Sequence, residues 1–209
     1  MTMLMFVCMD TCAKYLVQTY PTMQVVWARY FFQVLILLIV LAPKMRTLVK
    51  TASLPFQLIR SLFLLGATLC FFTGLNTVQL AEASAIMYTA PLLVTALAPF
   101  ILKEKVGLRR WMSVLIGFVG ALIIIRPGHS AIGVGAFWML GAAASYACYQ
   151  LCTRALSHQD SALTTLFYSA LLGAIIMSAI VPFHFQTPDM WGWFVMFWQG
   201  FLALSGTIA

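Results

Sequence analysis

Long hydrophobic segments alternate with short polar ones along this chain, and the alternation predicts its helices. Each hydrophobic segment is about 20 residues long, which is the length that an α-helix needs to cross a hydrocarbon core of ~30 Å. None of the segments shows the alternation over about ten residues that is typical of a membrane β-strand. The predicted membrane helices cover residues 1–18, 24–43, 57–78, 83–102, 111–126, 132–155, 162–183 and 193–209.

Composition agrees with a membrane location. Of the 209 residues, 63% are hydrophobic and 8% are charged. Soluble globular domains carry about 25% charged residues, so this class is excluded. The short connections leave no room for a separate soluble domain. We therefore predict an all-α polytopic membrane protein that is surrounded by the lipid bilayer.

The net charge of +7 is distributed unevenly among the connections. Lys and Arg are enriched in the cytoplasmic connections of membrane proteins. The chain is therefore predicted to span the cell (inner or plasma) membrane many times, with its N-terminus and its even-numbered connections in the cytoplasm. Because topology explains the positive charge, no nucleic-acid partner is expected. The basic residues around the even-numbered connections are Lys44, Arg46, Lys50, Arg60, Lys103, Lys105, Arg109, Arg110 and Arg154.

Two stretches indicate an internal repeat. Residues 8–16 read CMDTCAKYL, and residues 148–156 read CYQLCTRAL. At the same offset, the basic segment 44–60 corresponds to segment 184–200, which has no Lys or Arg. Opposite charge bias in corresponding connections places them on opposite sides of the membrane, as in an inverted repeat of five-helix units.

The repeat also predicts where its two halves begin and end. The first five-helix repeat is predicted over residues 1–128. An incomplete second repeat is predicted over residues 129–209, with its first two helices and part of a third, so we expect the second repeat to be truncated. The paired cysteines add little to this prediction, because a coincidence of packing residues explains them equally well.

Five stretches carry a resemblance to a known family. One of them places Glu82, Pro91 and Glu104 in order along the fourth segment and its end, ahead of a helix that begins at Trp111. The chain resembles the EamA-like family of the drug/metabolite transporter (DMT) superfamily. That resemblance implies two five-helix repeats and a transport function. The five stretches are MDTCAKYL, VVWARYFFQ, LAEASAIMYTAPLLVTALAPFILKEKVGLRRWMSVLIGFVGALIIIRP, GAAASYACYQLCTRAL and LTTLFYSALLGAII.

Asp10 and Lys14 are four residues apart and project from one face of the first helix. Charges inside a bilayer are costly and usually face a cavity or a partner. Either the two residues form a local ion pair near the membrane surface, or Asp10 binds a substrate cation or a proton and Lys14 balances its charge. In the second case, Gln150 and Arg154 are the equivalent residues of the second repeat and form the opposite wall of the site.

Further candidate residues lie in the second and fourth helices. Arg29 either pairs with Asp10 or Glu82, or binds an anionic group such as a substrate carboxylate. Tyr30 is either a neighbour of Arg29 in the same cavity or an aromatic residue of the membrane interface. Glu82 either stabilises the start of the fourth helix or couples transport to protons.

A proline inside the fourth helix marks a further candidate. Pro91 removes a backbone hydrogen bond and is expected to kink the helix. Kinked helices often border transporter sites, which makes Tyr88 and Pro91 cavity candidates.

The sequence offers no chemistry for an enzyme. It contains no GxSxG or HExxH motif and no phosphate-binding glycine loop. No Cys or His cluster has metal-ligand spacing, so neither a metal nor a cofactor is expected and no catalytic residue is assigned. Small residues at four-residue spacing, as in Gly66, Cys70 and Gly74, predict close helix packing and allow a homodimer.

We therefore predict a secondary transporter that moves a small metabolite by alternating access. The substrate is an amino acid, a nucleoside-like compound or an exported drug or metabolite, and proton coupling through Asp10 or Glu82 is left open. The alternative is a truncated non-transporting paralogue or a membrane-embedded interaction subunit.

Overall fold

The computed structural model of the protein describes residues 2–42, 51, 53–101, 107–125, 133–156 and 161–208. Within these ranges the chain forms α-helices, one short 3-10 turn and no strand. The protein is therefore an all-α polytopic membrane protein, as predicted. The helices are α1 (Thr2–Thr19), α2 (Thr22–Leu41), α3 (Leu54–Leu75), α4 (Leu80–Met87), α5 (Ala90–Ile101), α6 (Leu108–Ile125), α7 (Gly133–Leu156), α8 (Ala162–Ile180) and α9 (Met190–Ile208).

Helices lie at each of the eight predicted spans. By length and composition alone, four helical segments of the described chain are able to cross a membrane: Thr22–Val40, Leu54–Leu75, Leu80–Ile101 and Ala162–Phe183. The other four predicted spans correspond to α1, α6, α7 and α9, which have 18, 18, 24 and 19 residues. A helix bonds its backbone groups internally, which apolar surroundings require.

The starts and ends of the helices follow local chemistry. Pro21 precedes α2 with a φ of −56°, and Pro55 lies in the first turn of α3, where a missing N–H costs no hydrogen bond. The Oγ atom of Ser161 accepts a hydrogen bond from the backbone N of Thr164 at 3.1 Å and so caps α8. At its other end α8 passes into the 3-10 turn Val181–His184, which contains a proline in its first positions.

The fourth predicted span is broken in its middle. α4 ends at Met87 and α5 begins at Ala90. At the break, the backbone N of Thr89 donates to the carbonyl of Ile86 at 2.9 Å, which is the tighter i→i−3 bond of a 3-10 turn. Pro91 has no N–H to continue the helical bonding. The kink that Pro91 predicts is therefore present as an interruption that begins at Tyr88.

The chain divides into two compact units, and the first combines residues 1–65 with residues 159–209. In this unit α9 packs against both α1 and α2, and α2 also packs against α8. Two apolar clusters of buried residues hold these helices together. One contains Met9, Leu202 and Ala203, and the other contains Leu37, Phe167 and Leu204.

The second unit comprises residues 66–158. Within it α4 and α5 pack against α6 and α7. The predicted small-residue stripe on α3 is in close contact with α7, because the Oγ atom of Ser145 lies 3.8 Å from the position that a Cβ at Gly66 would take. A Cβ at Gly74 would lie 2.7 Å from the Cε atom of Met139. The repeat boundary between residues 128 and 129 stays a prediction.

Several residues that the charge pattern used lie outside the described ranges. The predicted cytoplasmic position of the even-numbered connections therefore stays a prediction. These residues are Lys44, Arg46, Lys50, Lys103 and Lys105; Glu104, which the family resemblance used, is also outside these ranges.

Candidate substrate-binding site

Two opposite charges interact inside the first unit. Asp10 is the ninth of the 18 residues of α1, and it interacts electrostatically with Arg29 of α2. Both side chains are half-buried among apolar helices. The sequence left Asp10 and Glu82 open as partners of Arg29, and the structure places Asp10 within electrostatic range of it.

The surroundings of Arg29 are aromatic. The guanidinium carbon of Arg29 lies 5.8 Å from the centre of the Tyr30 ring, within the range of a cation–π interaction. Tyr30 itself is 2% exposed and packs against α8, where a Cβ added at Gly173 would lie 2.6 Å from its ring. The hydroxyl of Tyr30 donates to the carbonyl of Leu64 at 3.5 Å, which is a long hydrogen bond.

Lys14 is half-buried one turn beyond Asp10 on α1. The other predicted site residues lie in the second unit. Gln150 is half-buried in α7, and Arg154 is exposed in the last turn of the same helix. Their predicted role as the equivalent wall of the second repeat stays a prediction.

Glu82, Tyr88 and Pro91 lie along the broken span. Glu82 is exposed in the first turn of α4, where a carboxylate meets the positive end of the helix dipole. Tyr88 is the C-cap residue that follows α4, and it is 76% exposed. Pro91 is also exposed, in the first turn of α5. The break thus presents an aromatic side chain and an irregular backbone, the kind of feature that borders sites in transporters.

A polar clasp at the start of α9, formed by Tyr20 and Asp189, was not predicted from the sequence. The hydroxyl of Tyr20 donates to Asp189 Oδ1 at 2.6 Å, and the backbone N of Gly192 donates to the same oxygen at 2.8 Å. The hydrogen bond with Tyr20 lowers the pKa of Asp189 below its usual 3.8, and the same bond raises the pKa of Tyr20 above 10.0. Asp189 therefore caps α9 and ties it to the α1–α2 turn.

A second tie fixes the same turn. The side-chain amide of Gln24 is fully buried and bonds both backbone groups of Gln186. Its Nε2 atom donates to the Gln186 carbonyl at 2.7 Å, and its Oε1 atom accepts from the Gln186 N at 2.9 Å. A glutamine near the start of an apolar helix is the sequence signal that points to such a contact.

Arg60, which the charge pattern grouped with the second connection, lies inside the predicted helix 57–78. It lies inside α3 with 0% of its side chain exposed. Its Nη2 atom donates to the carbonyl of Thr165 and to the Oγ of Ser169, both on α8. Gln57, one turn earlier on α3, donates to Thr165 Oγ1 at 3.5 Å. These bonds compensate part of the cost of burying a charge.

A third glutamine is buried without hydrogen bonds. Gln199 of α9 is 0% exposed, and neither its Nε2 nor its Oε1 atom has a hydrogen-bond partner among the described residues. In the sequence, Gln199 is a single amide in the middle of an apolar segment.

No group of three or more His, Cys, Asp or Glu side chains with metal-ligating geometry occurs in the described part of the chain. What the described residues of the first unit offer is a charge pair and a buried amide on α1, α2 and α9. Such groups are suited to bind polar or charged parts of a small molecule.

Comparison with known proteins supports the resemblance. Residues 1–126 match the model of the EamA-like transporter family. The S-adenosylmethionine uptake transporter of Rickettsia prowazekii (strain Madrid E) is 26% identical over 180 residues, which are 86% of this chain and 61% of that protein. The chain thus spans about 61% of the length of that relative.

Two further relatives carry transporter names. The riboflavin transporter of Vibrio cholerae serotype O1 is 32% identical over 158 residues, or 73% of this chain and 51% of the relative. An uncharacterized transporter of Helicobacter pylori (strain ATCC 700392 / 26695) is 26% identical over 152 residues, or 68% of this chain and 49% of the relative. These names describe transporters and no enzyme.

Proposed function

The chain belongs to the EamA-like transporter family, and from this premise we propose that it moves a small metabolite across the membrane by alternating access. The observation that carries the proposal is the interaction between Asp10 and Arg29 near the middle of two apolar helices. Ionisable residues at that depth are expensive, and in membrane proteins they usually mark a path for a substrate or an ion.

The proposed substrate is a zwitterionic or nucleoside-like metabolite. Asp10 is suited to a cationic group, and the planar fork of Arg29 is suited to a carboxylate. When such a substrate is bound, its cationic group would face Asp10 and its anionic group would face Arg29, so each protein charge would have an opposite charge beside it. The compounds named for the relatives, S-adenosylmethionine and riboflavin, are small metabolites that contain nitrogen heterocycles.

Proton coupling through Asp10 is the second part of the proposal. A carboxyl group that holds either a proton or a substrate cation links the two, because it cannot hold both. Glu82 is the rival coupling residue, but its exposed position in the first turn of α4 favours a structural role. Lys14, Gln150 and Arg154 keep their predicted supporting roles in this proposal, as do the inverted repeat and the cytoplasmic N-terminus.

The test is substrate flux into vesicles that contain the purified 209-residue chain. Labelled S-adenosylmethionine and riboflavin are supplied outside, with and without a pH gradient. We expect uptake that responds to the gradient in the wild type and that no longer responds in Asp10→Asn. The matched control is Glu82→Gln, which is expected to keep the response.

Three outcomes would change the proposal. Undiminished flux with an unchanged pH response in Asp10→Asn would remove Asp10 from coupling, and a lost response in Glu82→Gln would move that role to Glu82. Flux no greater than in protein-free vesicles would favour the alternative, a non-transporting paralogue or an interaction subunit.

A further inference from the structure

The amide of Gln199 is an anomaly in the packing of the first unit. Gln24 and Gln199 are both 0% exposed. Gln24 bonds the backbone of Gln186 through both of its amide atoms, whereas both amide atoms of Gln199 are without a partner among the described residues. A buried amide that makes no hydrogen bond destabilises the fold, and nearly all buried polar groups in folded proteins have a partner.

The position of Gln199 follows from its neighbours on α9. Leu202 and Ala203, three and four residues further, pack against Met9 of α1, so Gln199 lies on the face of α9 that is turned to α1. The next residue, Gly200, approaches α2. A Cβ added there would lie 2.6 Å from the Cβ of Phe32 and 3.4 Å from the carbonyl oxygen of Arg29.

Gln199 is therefore enclosed by the same helices that hold the charge pair. Asp10 is one residue beyond Met9 on α1, and the backbone carbonyl of Arg29 on α2 is among the atoms that Gly200 approaches. A ligand held by Asp10 and Arg29 would meet the amide at the same depth along these helices.

We propose that Gln199 is a recognition residue for a substrate group that presents a hydrogen-bond donor beside an acceptor, as the edge of adenine does. A glutamine amide offers an acceptor and donors side by side. Glutamine forms a bidentate pair with the adenine N6–H and N7 in nucleic-acid recognition, for the same geometric reason. The inference rests on the proposed transport function and narrows its substrate to a nucleoside-like class.

Charge and hydrogen bonding would then have separate roles in binding the substrate. Asp10 and Arg29 bind the charged groups of the substrate, and Gln199 distinguishes its neutral heterocycle. Because Gln199 is fully covered in this conformation, the ligand reaches it only when α9 separates from α1 or α2. A site that is closed in one conformation and reached in another is what alternating access requires.

The experiment is equilibrium binding of labelled adenosine to the full chain in lipid nanodiscs. The competitors are 7-deazaadenosine and 1-deazaadenosine, which keep the shape of adenosine but each lack one ring acceptor beside the amino group. We expect the wild type to bind adenosine about tenfold more tightly than at least one of the two analogues. The analogue that binds weakly identifies the edge that the amide contacts.

The variant Gln199→Met tests the residue itself, because methionine has a similar volume and no amide. It is expected to bind adenosine about tenfold more weakly and to bind the two analogues as well as adenosine, to within about twofold. Its melting temperature should be equal to or above that of the wild type, because the uncompensated amide is gone. The control Gln24→Met should melt lower and keep the preference for adenosine.

Three results would overturn the inference. They are no adenosine binding by the wild type, equal binding of adenosine and both analogues by the wild type, and unchanged adenosine binding in Gln199→Met. A lower melting temperature of Gln199→Met together with unchanged binding would show that the amide holds a buried water only. Selective adenosine binding without vesicle flux would refute the transport proposal and leave the role of Gln199 standing. Vesicle flux without a preference for adenosine over its analogues would refute the role of Gln199 and leave the transport proposal standing.

Discussion

At the scale of single residues, the charges of α1 and α2 are the feature that needs an explanation. Asp10 and Arg29 interact between two helices that are otherwise apolar. A charge without compensation in such surroundings is expensive, and each of the two lowers that cost for the other. In the proposed function, a substrate group would take the place of one of these two charges beside the other.

Packing around Tyr30 gives a prediction for stability. In Gly173→Ala, the added Cβ would lie 2.6 Å from the Tyr30 ring, which is buried and has little room to move. We expect a loss of about 1–3 kcal/mol in the free energy of unfolding, the usual cost of overpacking. The measurement is thermal or denaturant unfolding of the chain in detergent.

The matched control is a helical glycine with open space around it. A Cβ at Gly120 of α6 would meet no atom within 4 Å. Gly120→Ala is expected to leave stability unchanged or to raise it by up to about 1 kcal/mol, because alanine favours the helix. If both variants unfold at the same temperature, the close contact between Gly173 and the Tyr30 ring is contradicted.

The clasp of Tyr20 and Asp189 gives a prediction for pH dependence. Asp189 has a lowered pKa, so its contribution to stability is present above pH 3.8 and is lost as the pH falls through the lowered pKa. Tyr20 has a raised pKa, so its contribution is present below pH 10.0 and is lost as the pH rises through the raised pKa. The wild type should therefore melt above Tyr20→Phe near neutral pH.

The measurement is the melting temperature of both proteins from pH 3 to pH 11. The difference between them should shrink at both ends of this range. If the difference in melting temperature is the same at every pH, the stability that the hydrogen bond between Tyr20 and Asp189 provides does not depend on the protonation of these two side chains.

Residue partners were the hardest part of the site to predict. The spacing of Asp10 and Lys14 identifies one face of a helix, but the choice of a partner for Arg29 depends on which helices pack together. Arg60 was grouped with the basic residues around the second connection because it lies near the start of a predicted helix, and it is buried in α3 with hydrogen bonds to α8. Gln199 was missed because a single amide has no pattern of its own.

At the scale of the elements, the break between α4 and α5 is the feature that we expect to affect transport most directly. The proline in the segment predicted an irregularity near residue 91. The break begins at Tyr88 and Thr89 because the 3-10 bond from Thr89 to Ile86 ends α4 before the proline is reached. Hydrophobic periodicity does not locate such a change to within one turn, whereas it locates the helices themselves well.

Removing the proline should restore a continuous helix. In Pro91→Ala, the new backbone N–H is able to donate to the carbonyl of Met87, which favours one helix over residues 80–101. We expect a fold of equal or greater stability and a slower substrate flux in vesicles, because the span loses its flexible point. Helix content by circular dichroism and vesicle flux are the two measurements.

Pro99 supplies the control for this prediction. It lies inside α5, away from the break. Pro99→Ala is expected to leave flux near the wild-type level. A Pro91→Ala variant with wild-type flux would show that the break between α4 and α5 has no role in transport.

At the scale of the whole molecule, hydropathy alone was enough to identify the fold class. Eight apolar segments predicted the helices, because a bilayer forces backbone groups into internal hydrogen bonds. The repeat was inferred from the charges of connections, most of which lie outside the described residues, so it remains a hypothesis. The compact units do not follow the order of the chain, since α8 and α9 pack with α1 and α2. Such pairings depend on which apolar surfaces fit together, which hydropathy does not encode.

The central claim is that this member of the EamA-like transporter family is an alternating-access carrier for a nucleoside-like metabolite. Counterflow tests it most directly, because a carrier exchanges substrate across the membrane without a net driving force. Vesicles containing the chain are loaded with unlabelled S-adenosylmethionine or riboflavin and diluted into a trace of the same labelled compound. The account predicts that label rises above its equilibrium level inside the vesicles and then declines. Entry of label no faster than into protein-free vesicles, for both compounds, would contradict it.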